Sequence, residues 1–374
     1  MIKSKIFAAY LPQFHKTPEN DKFWGEGFSD WCGVKNARPL FEGQKQPRVP
    51  LGNNYYDLTD IHVLEWQSSI AKKYGISGFN IYHYWFKDNH KVLYKPAELL
   101  LNNQEIDIEF FFTWDNTSWV RSWSNIKGNS WSPLYDQRKN LNLNEVLLEL
   151  SYGNEIDWKC HFQYLVDFFK DKRYLKIDNK PVFSMMNCND RDKIRQMLSF
   201  WNGLAIEYGF NGMYYIFAKK TLQNNNFGEG YFIYQPRSSG WAVKDALLRV
   251  VNKYLAIDIA KSKSVKYLVE YSHLWKKILR LSRKIARDNS IFCGFVRYDD
   301  TPRRGKNAAV VYNESPQLFY KYFGEMYKLS CENNKPFILL TAWNEWGEGA
   351  YLEPDEDDKY DYLEVIKKIK EEVI

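Results

Sequence analysis

The sequence predicts an α/β fold, a (β/α)8 TIM barrel with a helical insertion between strands 6 and 7. Eight short apolar segments, rich in β-branched or aromatic residues and bounded by turn residues, are typical of buried strands. Amphipathic helical patterns separate most of them, and strands that alternate with helices form a parallel sheet covered by helices. Eight such units in 374 residues match the length of a barrel with insertions.

Each predicted strand is an apolar run of five to eight residues. In chain order the strands are Lys5–Tyr10, Ser77–Tyr82, Glu109–Trp114, Pro181–Met186, Gly212–Phe217, Gly230–Tyr234, Phe292–Tyr298 and Pro336–Trp343. The predicted helices place apolar residues on one face, as Ile61, Leu64 and Ile70 do before the stop at Gly75. These helices are Asp60–Tyr74, Trp158–Lys172, Asp190–Tyr208, Ser315–Cys331 and Asp358–Val373.

A doubly wound open sheet is the alternative to the barrel. Its nucleotide-binding form wants a glycine-rich turn after the first strand, and the turn here, Leu11–Asp21, contains no glycine. The barrel is therefore the favoured prediction.

Composition indicates one globular domain over residues 1–374, with 45% hydrophobic and 26% charged residues. No run approaches the roughly 18 apolar residues of a spanning helix, and no sustained heptads indicate a coiled coil. The first residues lack the apolar segment and cleavage site of a secretory signal, so we expect a cytoplasmic protein. The five cysteines are scattered without metal-ligand spacing, which predicts reduced thiols, no metal and no other cofactor. The acidic run Asp355–Asp358 lacks the spacing and glycine of an EF-hand calcium loop.

Residues 241–290 form the predicted basic helical insertion. They hold 12 Lys and Arg against 4 Asp and Glu, a charge of +8, whereas the whole chain carries +6. Within them, residues 267–287 have the pattern of a basic amphipathic helix, which either contacts an anionic membrane peripherally, at the inner membrane, or is a helical excursion with a solvated basic face. We expect no nucleic-acid binding, because the stretch belongs to no recognised module.

In a (β/α)8 barrel the reacting groups cluster at the carboxyl ends of the strands. Here these ends are rich in aromatic, amide, carboxylate and guanidinium groups, which suit the apolar faces and hydroxyls of sugars. A phosphate site would instead want a glycine-rich loop. The candidate substrate-binding residues are Tyr10, His15, Tyr82, His83, Trp85, Trp114, Asp115, Asn116, Trp119, Tyr234, Gln235, Arg297, Asp299, Trp343, Asn344 and Trp346. His15 and His83 fit a structural role equally well, and the polar loop Ser122–Asn142 is predicted to cap the site.

The strongest candidate for catalysis is the segment TAWNEWGEG, residues 341–349, which follows an apolar strand. Cleavage of a glycosidic bond needs two carboxyl groups, one ionised and one able to hold a proton near neutral pH. Glu345 and Glu348 are three residues apart, and mutual repulsion and burial near Trp343 and Trp346 would separate their pKa values. The alternative is an acidic loop that makes structural salt bridges.

Several long motifs resemble the WbsX-type proteins of bacterial surface-polysaccharide clusters, which are similar to glycoside hydrolase family 99. The motifs are AAYLPQFHKTPENDKFWGEGFSDW, LGNNYYDL, YGISGFNIYHYWF, WDNTSWVRSW, FVRYDDTPRRG and TAWNEWGEGAYLEPD, and they run nearly end to end. The resemblance implies a (β/α)8 barrel with a carbohydrate site and no metal.

The resemblance also implies roles for the two glutamates. Glu345 would act as a base on the 2-hydroxyl of the sugar, whose oxygen displaces the leaving group through an epoxide-like intermediate. Glu348 would protonate the glycosidic oxygen and later activate water, with net retention. The sequence does not choose between this scheme and a direct nucleophile.

One motif departs from the family pattern. WbsX-type proteins tend to read WANENWTR where this chain has residues 114–121, WDNTSWVR, so a carboxylate is lost at Thr117 and gained at Asp115. Sugar specificity is therefore expected to differ from that of relatives.

Three functions remain open from the sequence. The first is a retaining glycoside hydrolase acting on an α-mannoside-like or related sugar of bacterial surface polysaccharide. The second is a glycosyl-transferring enzyme of O-antigen or capsule assembly, whose substrate is an oligo- or polysaccharide linked to a lipid. The third is a non-catalytic glycan-binding barrel, which the intact pair Glu345 and Glu348 disfavours.

Overall fold

In the computed structural model of the protein, eight parallel strands close into a barrel that helices surround. Residues 3–120, 145–219, 228–240 and 264–372 are described. The predicted cap Ser122–Asn142 and residues 241–263 of the predicted insertion lie outside this part of the chain.

Strands and helices alternate along most of the chain. The strands are β1 (Lys5–Tyr10), β2 (Gly78–Trp85), β3 (Lys91–Val92), β4 (Glu109–Trp114), β5 (Trp119–Val120), β6 (Val146–Leu148), β7 (Lys176–Ile177), β8 (Lys180–Met185), β9 (Tyr214–Ala218), β10 (Gly230–Phe232), β11 (Tyr267–Glu270), β12 (Ser290–Phe295), β13 (Ala309–Tyr312), β14 (Phe337–Thr341), β15 (Asn344–Glu345) and β16 (Ala350–Tyr351). The helices are α1 (Pro18–Trp24), α2 (Trp31–Asn36), α3 (Ile61–Lys73), α4 (Lys95–Asn102), α5 (Glu155–Lys170), α6 (Arg191–Glu207), α7 (Arg237–Gly240), α8 (Tyr271–Lys284), α9 (Thr301–Arg304), α10 (Pro316–Glu332) and α11 (Asp361–Glu372).

The barrel closes through β1, which pairs in parallel with both β2 and β14. Phe7 lies opposite Gly78 on one side and opposite Leu339 on the other. From β2 the order continues through β4, β8, β9, β10 and β12 to β14. The predicted barrel is confirmed, since an open sheet would leave two unpaired edges.

Aromatic side chains pack the barrel interior below the site. The ring of Phe7 meets those of Phe111 and Phe337 edge to face, with centroids 5.2 and 5.4 Å away. Because β1 and β4 are not neighbours in the sheet, the contact between Phe7 and Phe111 crosses the interior. The barrel is therefore filled here, and the space for a ligand lies towards the carboxyl ends of the strands.

The eight predicted barrel strands and the five predicted helices are confirmed, with ends that differ by at most three residues. Local capping explains where several helices begin. Asp60, Asp190 and Ser315 each accept a hydrogen bond from a backbone N–H in the first turn of α3, α6 and α10.

The prediction of one continuous helix over residues 267–287 is wrong at its start. Tyr267–Glu270 is strand β11, which pairs in parallel with β13, and the helix begins only at Tyr271. Glu270 ends the strand and caps the helix, because its carboxylate accepts from the N–H of His273 at 2.6 Å.

The apolar face of α8 is part of the core. Leu274, Trp275, Ile278 and Leu279 are buried, while Arg280 is among the exposed basic residues of the opposite face. A contact with an anionic membrane through residues 267–287 would therefore depend on the basic face alone. Among the helices that are described, none is long and apolar enough to cross a membrane.

We expect Trp275→Ala to destabilise the protein strongly, by about 3–5 kcal/mol, because the indole is buried and stacks on Phe295 at a centroid distance of 5.4 Å. Urea unfolding followed by tryptophan-independent circular dichroism measures the change. Arg280→Ala on the exposed face is the matched control, with an expected change within about 0.5 kcal/mol. Equal effects of the two substitutions would contradict the docking of α8 on the barrel.

Candidate active site

The residues after β14 form a tight hairpin at the carboxyl end of the barrel. Strand β15 pairs antiparallel with β16, so that Glu345 lies opposite Ala350. A 3-10 turn over Trp346–Glu348 joins the two strands. Glu345 ends one arm of the hairpin and Glu348 ends the turn, which brings the two carboxylates of the predicted pair together.

The hairpin is anchored to the barrel at two points. The Asn344 side chain accepts from the backbone N–H of Leu11 at 2.8 Å and donates to its carbonyl at 3.0 Å. Trp346 stacks on Tyr351 with ring centroids 3.7 Å apart, and its indole N–H donates to Glu353 at 2.7 Å. These contacts fix the backbone that carries both glutamates.

Arg303 lies between the two glutamates. Its Nη2 is 2.7 Å from Glu345 Oε1, and its Nη1 donates to Glu348 Oε1 at 3.2 Å. Asp30, at the start of α2, accepts from the same Nη2 at 3.4 Å. One buried guanidinium thus compensates three acidic side chains.

The two glutamates are ionised differently in the free protein. Burial raises the pKa of Glu345 to about 8, although Arg303 opposes the rise. Burial acts on Glu348 in the same direction, but Arg303, Arg237 and Arg304 together hold its pKa below the ordinary value. Burial thus favours the protonated form of Glu345, whereas the three arginines favour the ionised form of Glu348.

Both carboxylates face one cavity of about 650 Å³ at the carboxyl ends of the barrel strands. The described residues that line it include four cations and three acids, together with two tyrosines from β2. They include Tyr82, Tyr84, Asp115, Thr117, Asn187, Lys219, Tyr234, Arg237, Arg303, Arg304, Glu345 and Glu348. Such a mixture of aromatic surface and planar polar groups suits a sugar.

Two glycines allow this arrangement. A Cβ on Gly347 would lie 2.5 Å from Arg303 Nε, so only glycine lets the guanidinium approach the turn this closely. Gly349 has φ +56°, and a Cβ there would meet the backbone oxygen of Asp299 at 2.9 Å. Glycine is thus required for a different reason at each of the two positions.

The departure from the family motif lies in the cavity wall. Thr117 Oγ1 donates to Asp115 Oδ1 at 3.0 Å and accepts from Asn187 Nδ2 at 2.7 Å. Burial raises the pKa of Asp115 to about 6. Asn116 does not line the cavity, but it positions this wall because its side chain bonds both the N–H and the carbonyl of Asn187.

The structure brings five predicted site residues to the cavity: Tyr82, Asp115, Tyr234, Glu345 and Glu348. Three others point away from it, towards α5. His83 Nε2 lies 2.8 Å from His161 Nε2, Trp85 stacks on the same imidazole, and Trp114 donates to the carbonyl of Trp85. Burial lowers the pKa of His83 to about 3, which fits a neutral structural histidine.

A second group of predicted residues builds the support of the hairpin. Tyr10 donates to Gln67 at 2.8 Å, and Trp343 is fully buried against Phe79. Asn344 and Trp346 anchor the hairpin as described. These side chains do not line the cavity.

The remaining predicted residues lie in other surroundings. Arg297 Nη1 is 2.8 Å from Asp355, and Asp299 accepts from Gln44 at 2.9 Å. His15 and Gln235 are buried and do not line the cavity, and burial lowers the pKa of His15 to about 4. Trp119 lines a smaller neighbouring cavity.

Several cavity residues carry no signal that singles them out in the sequence. Arg303 stands in the motif FVRYDDTPRRG, but nothing local distinguishes it from Arg297 or Arg304. Tyr84 follows from strand alternation, since it lies two residues after Tyr82 on the same face of β2. Within the described ranges, no group of His, Cys, Asp and Glu could hold a metal ion.

Comparison with known proteins agrees with this geometry. The family described as "Glycosyltransferase WbsX" matches residues 6–366. "Uncharacterized protein WxcX" of Xanthomonas campestris pv. campestris, from each of two strains, is 24% identical over 375 residues. These matches cover 98% of this chain and 50% of each relative, so the chain spans about half the length of its curated relatives.

Solved structures share the fold. A glycoside hydrolase family 99 endo-α-mannosidase from Bacteroides thetaiotaomicron superposes with a TM-score of 0.56 at 14% identity, over 100% of this chain and 98% of that one. A "glycoside hydrolase-like protein" superposes with a TM-score of 0.57 at 12% identity, over 99% and 94%. At these low identities the likeness shows that the (β/α)8 fold is shared, and it shows nothing beyond the fold.

We expect Gly347→Ala to displace Arg303 and to cost about 1–3 kcal/mol of folding free energy, because its Cβ would overlap the guanidinium. Urea unfolding measures the cost. The control is Gly203→Ala on α6, where a Cβ meets nothing within 4 Å and where alanine favours the helix by up to about 1 kcal/mol. If both variants were equally stable, the close approach of Arg303 would not be required.

We expect Arg303→Met to raise the pKa of Glu348, because the largest charge that keeps this carboxylate ionised is removed. In the wild type, carbon NMR of labelled glutamate should show one carboxyl titrating near 8 and its neighbour titrating below the ordinary range. Arg280→Met, on the exposed face of α8, should leave both titrations unchanged. A wild-type pair that titrates entirely below pH 6 would contradict the ionisation described.

Proposed function

The chain belongs to the WbsX glycosyltransferase family, and on that premise we propose that it is an enzyme that acts on a glycosidic bond through Glu345 and Glu348. One observation carries the proposal. Glu345, which is buried, and Glu348, which is largely buried, are bridged by Arg303 and line one cavity at the carboxyl ends of the barrel strands. A pair with one proton can both protonate a leaving oxygen and provide a carboxylate for the sugar.

The substrate is an α-mannoside-like or related residue of a bacterial surface polysaccharide, and the anomeric configuration is retained. The support for the sugar is the shared barrel and the name of the Bacteroides endo-α-mannosidase. The support for the polysaccharide is the family match over residues 6–366. Asp115 and Thr117 in the cavity wall would adapt the site to a sugar that relatives do not take.

In the first step, Glu345 takes the proton of the sugar 2-hydroxyl while the 2-oxygen attacks the anomeric carbon. The bond from that carbon to the glycosidic oxygen breaks, and the oxygen receives a proton from Glu348. Water or an acceptor hydroxyl, deprotonated by Glu348, then opens the epoxide-like intermediate, and Glu345 returns its proton to the 2-oxygen. The two inversions give net retention.

This sequence of steps requires the opposite ionisation to that of the free protein. The proton must pass from Glu345 to Glu348 when the sugar binds. Because Arg303 touches both carboxylates, a shift of its guanidinium towards Glu345 would stabilise the Glu345 anion and release Glu348. Arg303 is thereby a positioning residue of the pair.

Transfer to an acceptor is the second candidate function, and the family description as a glycosyltransferase favours it. It uses the same two carboxylates, with an acceptor hydroxyl in place of water. A lipid-linked acceptor at the membrane would account for the exposed basic face of α8, including Arg280.

The test compares aryl α-mannosides that have good and poor leaving groups, together with α-linked manno-oligosaccharides. We expect Glu348→Gln to lose about 10²–10⁴-fold in rate on poor leaving groups and to recover the first step, seen as release of dinitrophenolate within one turnover, because that leaving group needs no proton. Glu345→Gln should be inactive on both. Glu332→Gln, exposed at the end of α10, is the control.

Product analysis separates the two candidate functions. Free reducing sugar in water supports hydrolysis, whereas turnover only with an added acceptor supports transfer. If the good leaving group restores the activity of Glu345→Gln and not that of Glu348→Gln, the two glutamates have the reverse roles. Sugar binding without turnover in every condition would overturn the enzymatic proposal.

A further inference from the structure

A second, smaller cavity adjoins the candidate active site. It has a volume of about 60 Å³ and shares Gln13 and Tyr84 with the larger cavity. Trp24, Phe28 and Trp119 form aromatic walls around it. A substituent of a sugar bound at Glu345 and Glu348 could therefore enter it without leaving the active site.

Besides Asn20 and the hydroxyl of Tyr84, two polar groups line this otherwise apolar cavity. Gln13 is 9% exposed, and among the described residues its Nε2 has no hydrogen-bond partner. Asp30 lines the same cavity and contacts Arg303, which in turn touches Glu345. The cavity thus offers a free amide donor and a carboxylate acceptor on the side linked to the active site.

Its volume limits what can bind. One water molecule needs roughly 10–15 Å³ of cavity volume. A cavity of about 60 Å³ therefore holds about four to six non-hydrogen atoms. That is the size of a substituent rather than of a second sugar ring. An acetamido group has four non-hydrogen atoms.

We infer that the small cavity is a recognition site for the acetamido group of an N-acetylated amino sugar that carries this group at C3, C4 or C6 and keeps its 2-hydroxyl. The carbonyl oxygen of the substituent accepts from Gln13 Nε2, its N–H donates to Asp30, and its methyl group packs against Trp24, Phe28 and Trp119. The inference rests on the proposed function, because it specifies the class of sugar that occupies the active site.

Other substituents match the cavity less well. A hydroxyl group would leave most of the aromatic wall without contact. The methyl group of a deoxy sugar would fill the apolar part but leave Gln13 Nε2 buried and unpaired, which is unfavourable. The combination of donor, acceptor and apolar wall fits a secondary amide.

The test measures binding and requires no turnover. The 3-acetamido-3-deoxy, 4-acetamido-4-deoxy and 6-acetamido-6-deoxy derivatives of mannose, which keep the 2-hydroxyl, are titrated against the full chain in parallel with mannose, their parent hexose. N-trifluoroacetyl analogues report burial of the substituent by fluorine NMR. We expect at least one N-acetylated sugar to bind about tenfold more tightly than its parent hexose.

Two variants test the site itself. Gln13→Leu removes the amide and should weaken the N-acetylated sugar about fivefold to tenfold, and more than it weakens the parent hexose, because Gln13 also lines the larger cavity. Val120→Phe fills the cavity from its partly exposed wall and should abolish the preference without touching Gln13. Gln317→Leu, exposed on α10, is the matched control for the amide substitution.

The inference is overturned if parent hexoses or deoxy sugars bind as tightly as N-acetylated sugars, if neither kind binds, or if Gln13→Leu and Val120→Phe keep the preference. Failure of the proposed function is distinguishable, because an inactive protein that prefers N-acetylated sugars would retain this site. Conversely, cleavage of unsubstituted mannosides without that preference would remove this site alone.

Discussion

The candidate active site depends on the contact of one arginine with two glutamates. Glu345 and Glu348 are buried close together, and two like charges in that position would repel each other strongly. Arg303 lies within 3.2 Å of both, and its positive charge offsets this repulsion. Two further features of the site accommodate that guanidinium. Residue 347 is a glycine, so no side chain blocks the approach of Arg303 to the turn, and Asp30 at the start of α2 accepts a further hydrogen bond from it.

A rigid support holds this pair. Glu353 is a buried carboxylate that accepts from Trp346, Tyr56 and Gln67 at 2.6–2.8 Å, and burial raises its pKa to about 7. It thus connects the turn that carries Glu348 to α3 on the outside of the barrel. Because each partner of Glu353 is itself packed in the core, the turn has little freedom to change conformation.

The sequence predicts the barrel well because its signals are local and repeated. Strand runs, helix periodicity and caps at Asp60, Asp190 and Ser315 all agree with the same architecture. The one wrong helix start, at Tyr267, arises where a short strand pairs with distant β13, and periodicity within a helix cannot show such a partner.

The site is predicted only in part, because a strand end contributes alternate side chains to the interior. Tyr82 and Tyr84 of β2 face the cavity, whereas His83 and Trp85 between and beyond them contact His161 of α5. The composition of a strand end identifies the right region but not the right face. Arg303 is the opposite case, since its importance comes from a contact across more than forty residues of sequence that no local pattern encodes.

The same arginine would couple substrate recognition to the ionisation of the pair. Asp30 Oδ1 lies 3.4 Å from Arg303 Nη2, and Asp30 also lines the small cavity. A ligand N–H that donates to Asp30 would weaken the ion pair between Asp30 and Arg303. The guanidinium would then interact more strongly with Glu345. A greater share of that charge lowers the pKa of Glu345 and favours transfer of the shared proton to Glu348. Binding of a sugar that carries this N–H would then favour the ionisation that the proposed cleavage uses, beyond what an unsubstituted sugar achieves.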